Sequence, residues 1–280
     1  MRRRGATEPH DGWTSEISSG LALAGFLFLV FVGFTLLAMG PLISLDAYFK
    51  LDPPQQSWLP FLHVLDRIGQ RAVCLPILAG VTIVCCRYRS SWRPAWVVAA
   101  SVFSLNLLVL ILKVLLGRGQ PASVDPAFFV GGIAYPSGHT SNIMLVYGLV
   151  VYLLGHYRQV GTGLRRSLWA AVSLLSITMV LTSLTLDWHW FADLIAGLLV
   201  GGTVLQLTAT IDAALPASAL HDGPLELLRA VRRRFLRRPA EDSQVRDPVP
   251  IPQEPRPTAN AAAPADVTAG PPARSGREVP

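Results

Sequence analysis

Apolar residues gather in six runs between positions 20 and 211, at about 20–43, 72–86, 94–116, 140–154, 167–186 and 190–211, and polar connections separate them. A helix needs about 20 predominantly apolar residues to cross the hydrocarbon core, and in lipid a helix satisfies its own backbone polar groups. The pattern therefore predicts an all-α protein, a six-span transmembrane helical bundle. Ahead of the first run, residues 1–19 are polar, begin with Arg2-Arg3-Arg4 and contain Pro9 and Gly12, which reads as a disordered cytoplasmic leader. The run at 20–43 is longer than a signal-peptide core and lacks its small-residue cleavage site, so it stays as a span. Residues 46–71 are mixed: after the Pro53-Pro54 break, Trp58, Leu59, Phe61, Leu62, Leu65 and Ile68 recur at near-helical spacing. They fit either an amphipathic helix at the interface or a plain loop.

Beyond the sixth run the pattern changes twice. Over 212–238, Leu225, Leu227, Leu228, Val231, Phe235 and Leu236 interleave with Arg229, Arg232, Arg233, Arg234, Arg237 and Arg238. A basic amphipathic segment of this kind is expected on anionic lipid at the membrane surface, or as a retention flank for the last span. Residues 239–280 hold ten prolines among alanines and charges, with too little apolar content to pack, and are expected to form a disordered tail.

Composition agrees with a membrane protein: 51% of the 280 residues are hydrophobic. The net charge of +6 would suit nucleic acid, but the arginines sit in short clusters between or after apolar runs, where membrane topology places them. Nucleic acid is therefore not an expected partner. Cys74, Cys85 and Cys86 lie in or beside one run, without metal-site spacing, and read as packing residues. With the leader inside, Arg87, Arg89, Arg93, Arg158, Arg165 and Arg166 fall on the cytoplasmic side together with both termini. Lys113, the 117–139 connection and the 187–193 stretch then fall at the outer face.

Three pieces of sequence at that face carry chemistry. In Asp187-Trp188-His189-Trp190-Phe191-Ala192-Asp193, an imidazole and a carboxylate stand four residues apart. On a helix they share a face, so Asp193 can hold His189 in one tautomer; the alternative is a polar pair at an interfacial helix start. Tyr135-Pro136-Ser137-Gly138-His139-Thr140-Ser141 reads as a tight turn entering a helix. Its amides, the Ser137 hydroxyl and the helix dipole suit an anion, with His139 beside it as a proton donor. Lys113-Val-Leu-Leu-Gly-Arg118-Gly-Gln120-Pro121 supplies cations, although a lysine near a span's end also snorkels to headgroups. Cations, an amide cradle and two histidines are the parts of phosphoryl transfer through a phosphohistidine.

The arrangement resembles the type 2 phosphatidic acid phosphatase family, membrane lipid phosphatases related to vanadium haloperoxidases. That family's pattern is Lys, six residues, Arg-Pro; then Pro-Ser-Gly-His; then Ser-Arg, five residues, His, three residues, Asp. The likeness spans residues 20–211 and rests on Pro136-Ser137-Gly138-His139, His189 and Asp193. It implies a helical bundle with no cofactor and no metal, His189 as nucleophile, Asp193 as its orienter and His139 as the acid on the leaving oxygen. By the same likeness Lys113, Ser137 and the Gly138 amide hold phosphoryl oxygens.

Two positions depart from the pattern. Gln120-Pro121 stands where the family has Arg-Pro, and Thr182-Ser183 stands where it has Ser-Arg. Both clamp arginines are absent, and neither Gln120 nor Ser183 carries the charge that favours a phosphoryl group. Arg118 is a candidate to reach in instead, its alternative being a headgroup contact. The expected activity is hydrolysis of a phosphorylated membrane lipid, a polyprenyl phosphate or diphosphate or a phosphatidate, at the outer face. A headgroup phosphotransferase using the same histidine, or a lipid-headgroup binder without turnover, is the alternative.

Overall fold

The computed structural model describes residues 10–123, 126–216 and 220–224. The chain runs α1 (His10–Ala38), α2 (Ile43–Tyr48), α3 (Leu59–Arg67), α4 (Arg71–Arg89), α5 (Arg93–Leu116), α6 (Gly138–Asn142), α7 (Gly148–His156), α8 (Thr162–Thr185) and α9 (Phe191–Ala214). A π-helical turn, Ile143–Tyr147, joins α6 to α7 without a break. No strand occurs among the described residues, and six helical stretches are long and apolar enough to cross a membrane. The chain is thus a multi-pass, all-α membrane protein. Large apolar side chains such as Phe26, Leu29, Phe103 and Leu174 are more than half exposed and turn outward, as a lipid-facing surface requires.

Two boundaries differ from the sequence expectation. Residues 10–19 belong to α1 rather than to an unstructured leader, because the single Gly12 does not outweigh the helix that the apolar run stabilises. Residues 46–71 are neither a surface helix alone nor a loop. They form α2 and α3, and α3 continues through a short bend into α4, giving one membrane-length stretch over Gln56–Arg89. Within α3, Asp66 is buried whereas Phe61 and Val64 are exposed. The basic segment from 225 to 238 and the tail at 239–280 lie outside the described residues.

Helix α9 is the centre of the bundle, flanked by α1, α5, α6 and the π turn. Its small residues allow this. A Cβ on Gly197 would lie 2.2 Å from Thr140 Oγ1 and 2.5 Å from the Ser137 carbonyl, and one on Gly201 would lie 2.7 Å from the Ser141 carbonyl. Close helix approach through small residues is the usual means of packing in lipid, where apolar burial gives little drive. Here it presses the start of α6 onto the start of α9. The far end is fastened by Arg93, whose Nε donates to Asp212 at 2.7 Å, while Tyr152 and Tyr157 each donate to the other carboxylate oxygen at 2.7 Å. A buried carboxylate with its oxygens filled in this way is fixed in position.

Candidate active site

The site lies at the end of the bundle where α5 and α8 finish and α4, α6 and α9 begin. Helix α5 stops at Gly117, whose φ of +50° closes the C-cap in the left-handed region where a side chain is strained. Its terminal turn carries Lys113, whose ammonium donates to the Ile133 carbonyl. The chain leaving α5 then turns Arg118 inward.

Arg118 is fully buried and bridges two carboxylates. Its Nη1 donates to Asp193 Oδ1 at 2.6 Å, its Nη2 donates to Asp46 Oδ2, and its Nε donates to the Pro126 carbonyl at 3.0 Å. The guanidinium lies over the Phe128 ring, 4.7 Å from its centroid. Asp46 in turn accepts the Ala192 amide at 2.8 Å. Burial pushes the Asp46 carboxyl up from its ordinary value, against the Ala192 N–H and the Arg118 charge. Fully buried and paired with both carboxylates, Arg118 is placed to hold Asp193 rather than to meet a phosphate.

Asp193 at N3 of α9 accepts the Trp190 amide at 3.0 Å, the reaching-back half of a capping box, and lies 3.4 Å from His189 Nδ1 through the same oxygen. The Asp187 φ of +55° sets the tight bend between α8 and α9 that carries His189 to the site. Trp190 Nε1 donates to the Gly119 carbonyl at 2.9 Å, so the loop bearing the histidine is pinned from both sides. With Nδ1 turned to the carboxylate, Nε2 of His189 has no hydrogen-bond partner among the described residues, and the side chain keeps 11% exposure.

The turn before α6 meets this loop through the backbone, the Ser137 amide donating to the Asp193 carbonyl at 2.9 Å. Thr140 Oγ1 adds a bond of 2.9 Å to the Leu194 carbonyl. Ser137 Oγ is buried and has no hydrogen-bond partner among the described residues, which is uncommon for a hydroxyl at the start of a helix. A Cβ on Gly138 would meet nothing within 4 Å, so there is open space in front of its amide. His139 Nε2 lies 3.7 Å from Asp66 Oδ2, and Asp66 also accepts Gln70 Nε2 at 2.9 Å. Trp188 stands between His139 and His63, with ring centroids 6.1 and 5.9 Å away.

Residues 94–215 match the PAP2 superfamily. A crystal structure of a transmembrane PAP2-type phosphatidylglycerolphosphate phosphatase from Bacillus subtilis has the same fold, with a TM-score of 0.60 and 18% identity over 70% of this chain and 98% of that one. The chain thus has the fold of PAP2-family membrane phosphatases.

Within and ahead of the PAP2 segment the residues expected at the site divide into two groups. His139, His189, Asp193, Ser137, Gly138 and Lys113 all come to the same end of the bundle. Gln120 is exposed and lines an open cleft of about 840 Å³ with Gly119 and residues 130–133. Ser183 is buried, with its hydroxyl 3.5 Å from Met179 Sδ. Asp46 and Asp66 escaped the sequence reading because each sits in a short element ahead of the PAP2 segment. The one available signal was a carboxylate at an otherwise apolar position of α3.

Proposed function

We propose that the protein is a lipid phosphatase acting through a phosphohistidine at position 189. The observation that carries this reading is the chain Asp46–Arg118–Asp193–His189, which fixes one imidazole tautomer beside a buried serine hydroxyl that lacks a partner among the described residues. Nε2 of His189 attacks phosphorus, the P–O bond to the lipid breaks, and protonated His139 gives its proton to the departing oxygen. Water then attacks phosphorus, the P–N bond returns its electrons to His189, and the water's proton restores His139. Ser137, the Gly138 amide and Lys113 hold the phosphoryl oxygens. Asp66 keeps His139 turned to the site.

The substrate class is a phosphorylated membrane lipid, a reading supported by the structural likeness to a phosphatidylglycerolphosphate phosphatase; a polyprenyl phosphate or diphosphate and a phosphatidate are the candidates. The arginine distribution puts both termini inside and the site at the outer face. Transfer of the phosphoryl group to a second lipid acceptor uses the same intermediate. A binder without turnover is favoured by one observation, the Gln120 and Ser183 replacements. Rapid acid-free quench of purified protein with a phosphorus-labelled lipid panel separates these readings. Label on His189 and release of free phosphate are expected; binding without label on the wild-type protein would overturn hydrolysis in favour of the binder.

A further inference from the structure

The absent arginines leave a phosphoryl site with one lysine, and the structure offers a guanidinium from a different helix. Arg71 opens α4, directly after the bend in which Gly69 packs on His139. A Cβ on Gly69 would lie 3.3 Å from His139 Cβ, and Gln70 donates to the same Asp66 carboxylate that faces His139. The Arg71 side chain is exposed, and among the described residues it has neither a carboxylate within 4.0 Å nor a side-chain hydrogen bond.

Three facts make this placement informative. Arg118 and Arg93 are each held by buried carboxylates, and their side chains are only 0% and 10% exposed, so neither guanidinium is open to a substrate. The first turn of α4 contains no acidic residue, and a cation there opposes the helix dipole, so Arg71 is not placed for the helix's benefit. An arriving anion would meet the dipole and the guanidinium together. Finally, Arg71 precedes the matched PAP2 segment, which begins at residue 94 and contains both positions where the arginines are missing.

We propose that Arg71 is the phosphate-clamping arginine of this protein, supplied by the α3–α4 bend in place of the two absent from the motif positions. It binds the phosphoryl oxygens together with Lys113, from the bend that packs on His139. The proposal rests on the phosphoryl-site reading above, and the test separates the two. Purified full-length protein is assayed for phosphate release from phosphatidate and polyprenyl phosphate micelles, and for orthovanadate binding, as wild type, Arg71→Ala, Arg71→Lys and Arg67→Ala.

Arg71→Ala should lower kcat/KM by about 10²- to 10³-fold, the loss typical of one transition-state donor. Arg71→Lys should recover part of that loss, since an ammonium supplies charge without the bidentate fork. Added guanidinium ion should restore activity to Arg71→Ala, which no role in folding or headgroup anchoring would produce. Arg67→Ala, exposed on the preceding turn, should be unchanged. If the wild type turns over and Arg71→Ala stays within about threefold of it, Arg71 is only a headgroup anchor and the proposal falls while the phosphatase reading stands. If the wild type shows no turnover but binds orthovanadate, and Arg71→Ala weakens that binding at least tenfold, the clamp stands and hydrolysis falls. A wild type that neither turns over nor binds orthovanadate overturns both.

Discussion

Replacing Arg118 by methionine tests the buried chain behind His189. The side chain is fully buried and its two carboxylate partners, Asp46 and Asp193, are 1% and 0% exposed, so salt in the medium does not screen the pairs. Methionine fills much of the volume but leaves two carboxylates facing each other without a cation. Breaking a buried pair from one side costs about 3–5 kcal/mol. The lost bond to the Pro126 carbonyl adds about 1 kcal/mol. For a chain of this size each kcal/mol moves the midpoint by about 2–4 °C, so a fall of roughly 8–24 °C in detergent is expected. The variant should also acquire a distinctive pH dependence. Burial already raises the Asp46 carboxyl, and removing Arg118 takes away two of the influences that lower it. A carboxyl whose folded pKa lies above its unfolded one keeps its proton in the folded state after the unfolded chain has lost it, so stability falls as pH rises between those two values. Arg118→Met should therefore unfold at a higher temperature at mildly acidic than at mildly alkaline pH, whereas the wild type should show a weaker trend. A midpoint within about 3 °C of wild type, flat in pH, would show that water reaches these carboxylates and that the chain does not hold Asp193.

His189→Ala should abolish phosphate release with an unchanged melting midpoint, and Asp193→Asn should cut kcat about 10⁴-fold by freeing the wrong tautomer, with adduct formation read by quench. Gly197→Leu should remove both folding and activity, because its Cβ alone would stand 2.5 Å from the Ser137 carbonyl, which is backbone; near-normal expression with activity would contradict the packing. Cysteine labelling at exposed Val130 should occur from outside the cell and at exposed Ser90 from inside only, and the reverse pattern would move the site to the other leaflet.

Residue order alone established the six spans, because the bilayer demands a length and an apolarity that any window of sequence displays. It also named His189, Asp193, Ser137 and His139, since pairs four apart and a Ser-Gly turn are local relations that one helix or one turn realises by itself. The ends of the helices were less legible: α1 reaches back to His10 because a helix once nucleated by its apolar run extends through compatible polar residues. The role of Arg118 was not legible. From sequence it stood two residues from an absent clamp arginine, and only the fold brings Asp46, 72 positions earlier in the chain, and Asp193, 75 positions later, to its guanidinium. Asp66 beside His139, and Arg71 beyond it, likewise depend on α3 bending into α4 against the start of α6. Periodicity records what each helix does with lipid and with its own turn. Which charge meets which, across helices pressed together at Gly197 and Gly201, is decided by packing, because a hydrogen-bonded ion pair needs its atoms within about 3 Å and sequence carries no such distance.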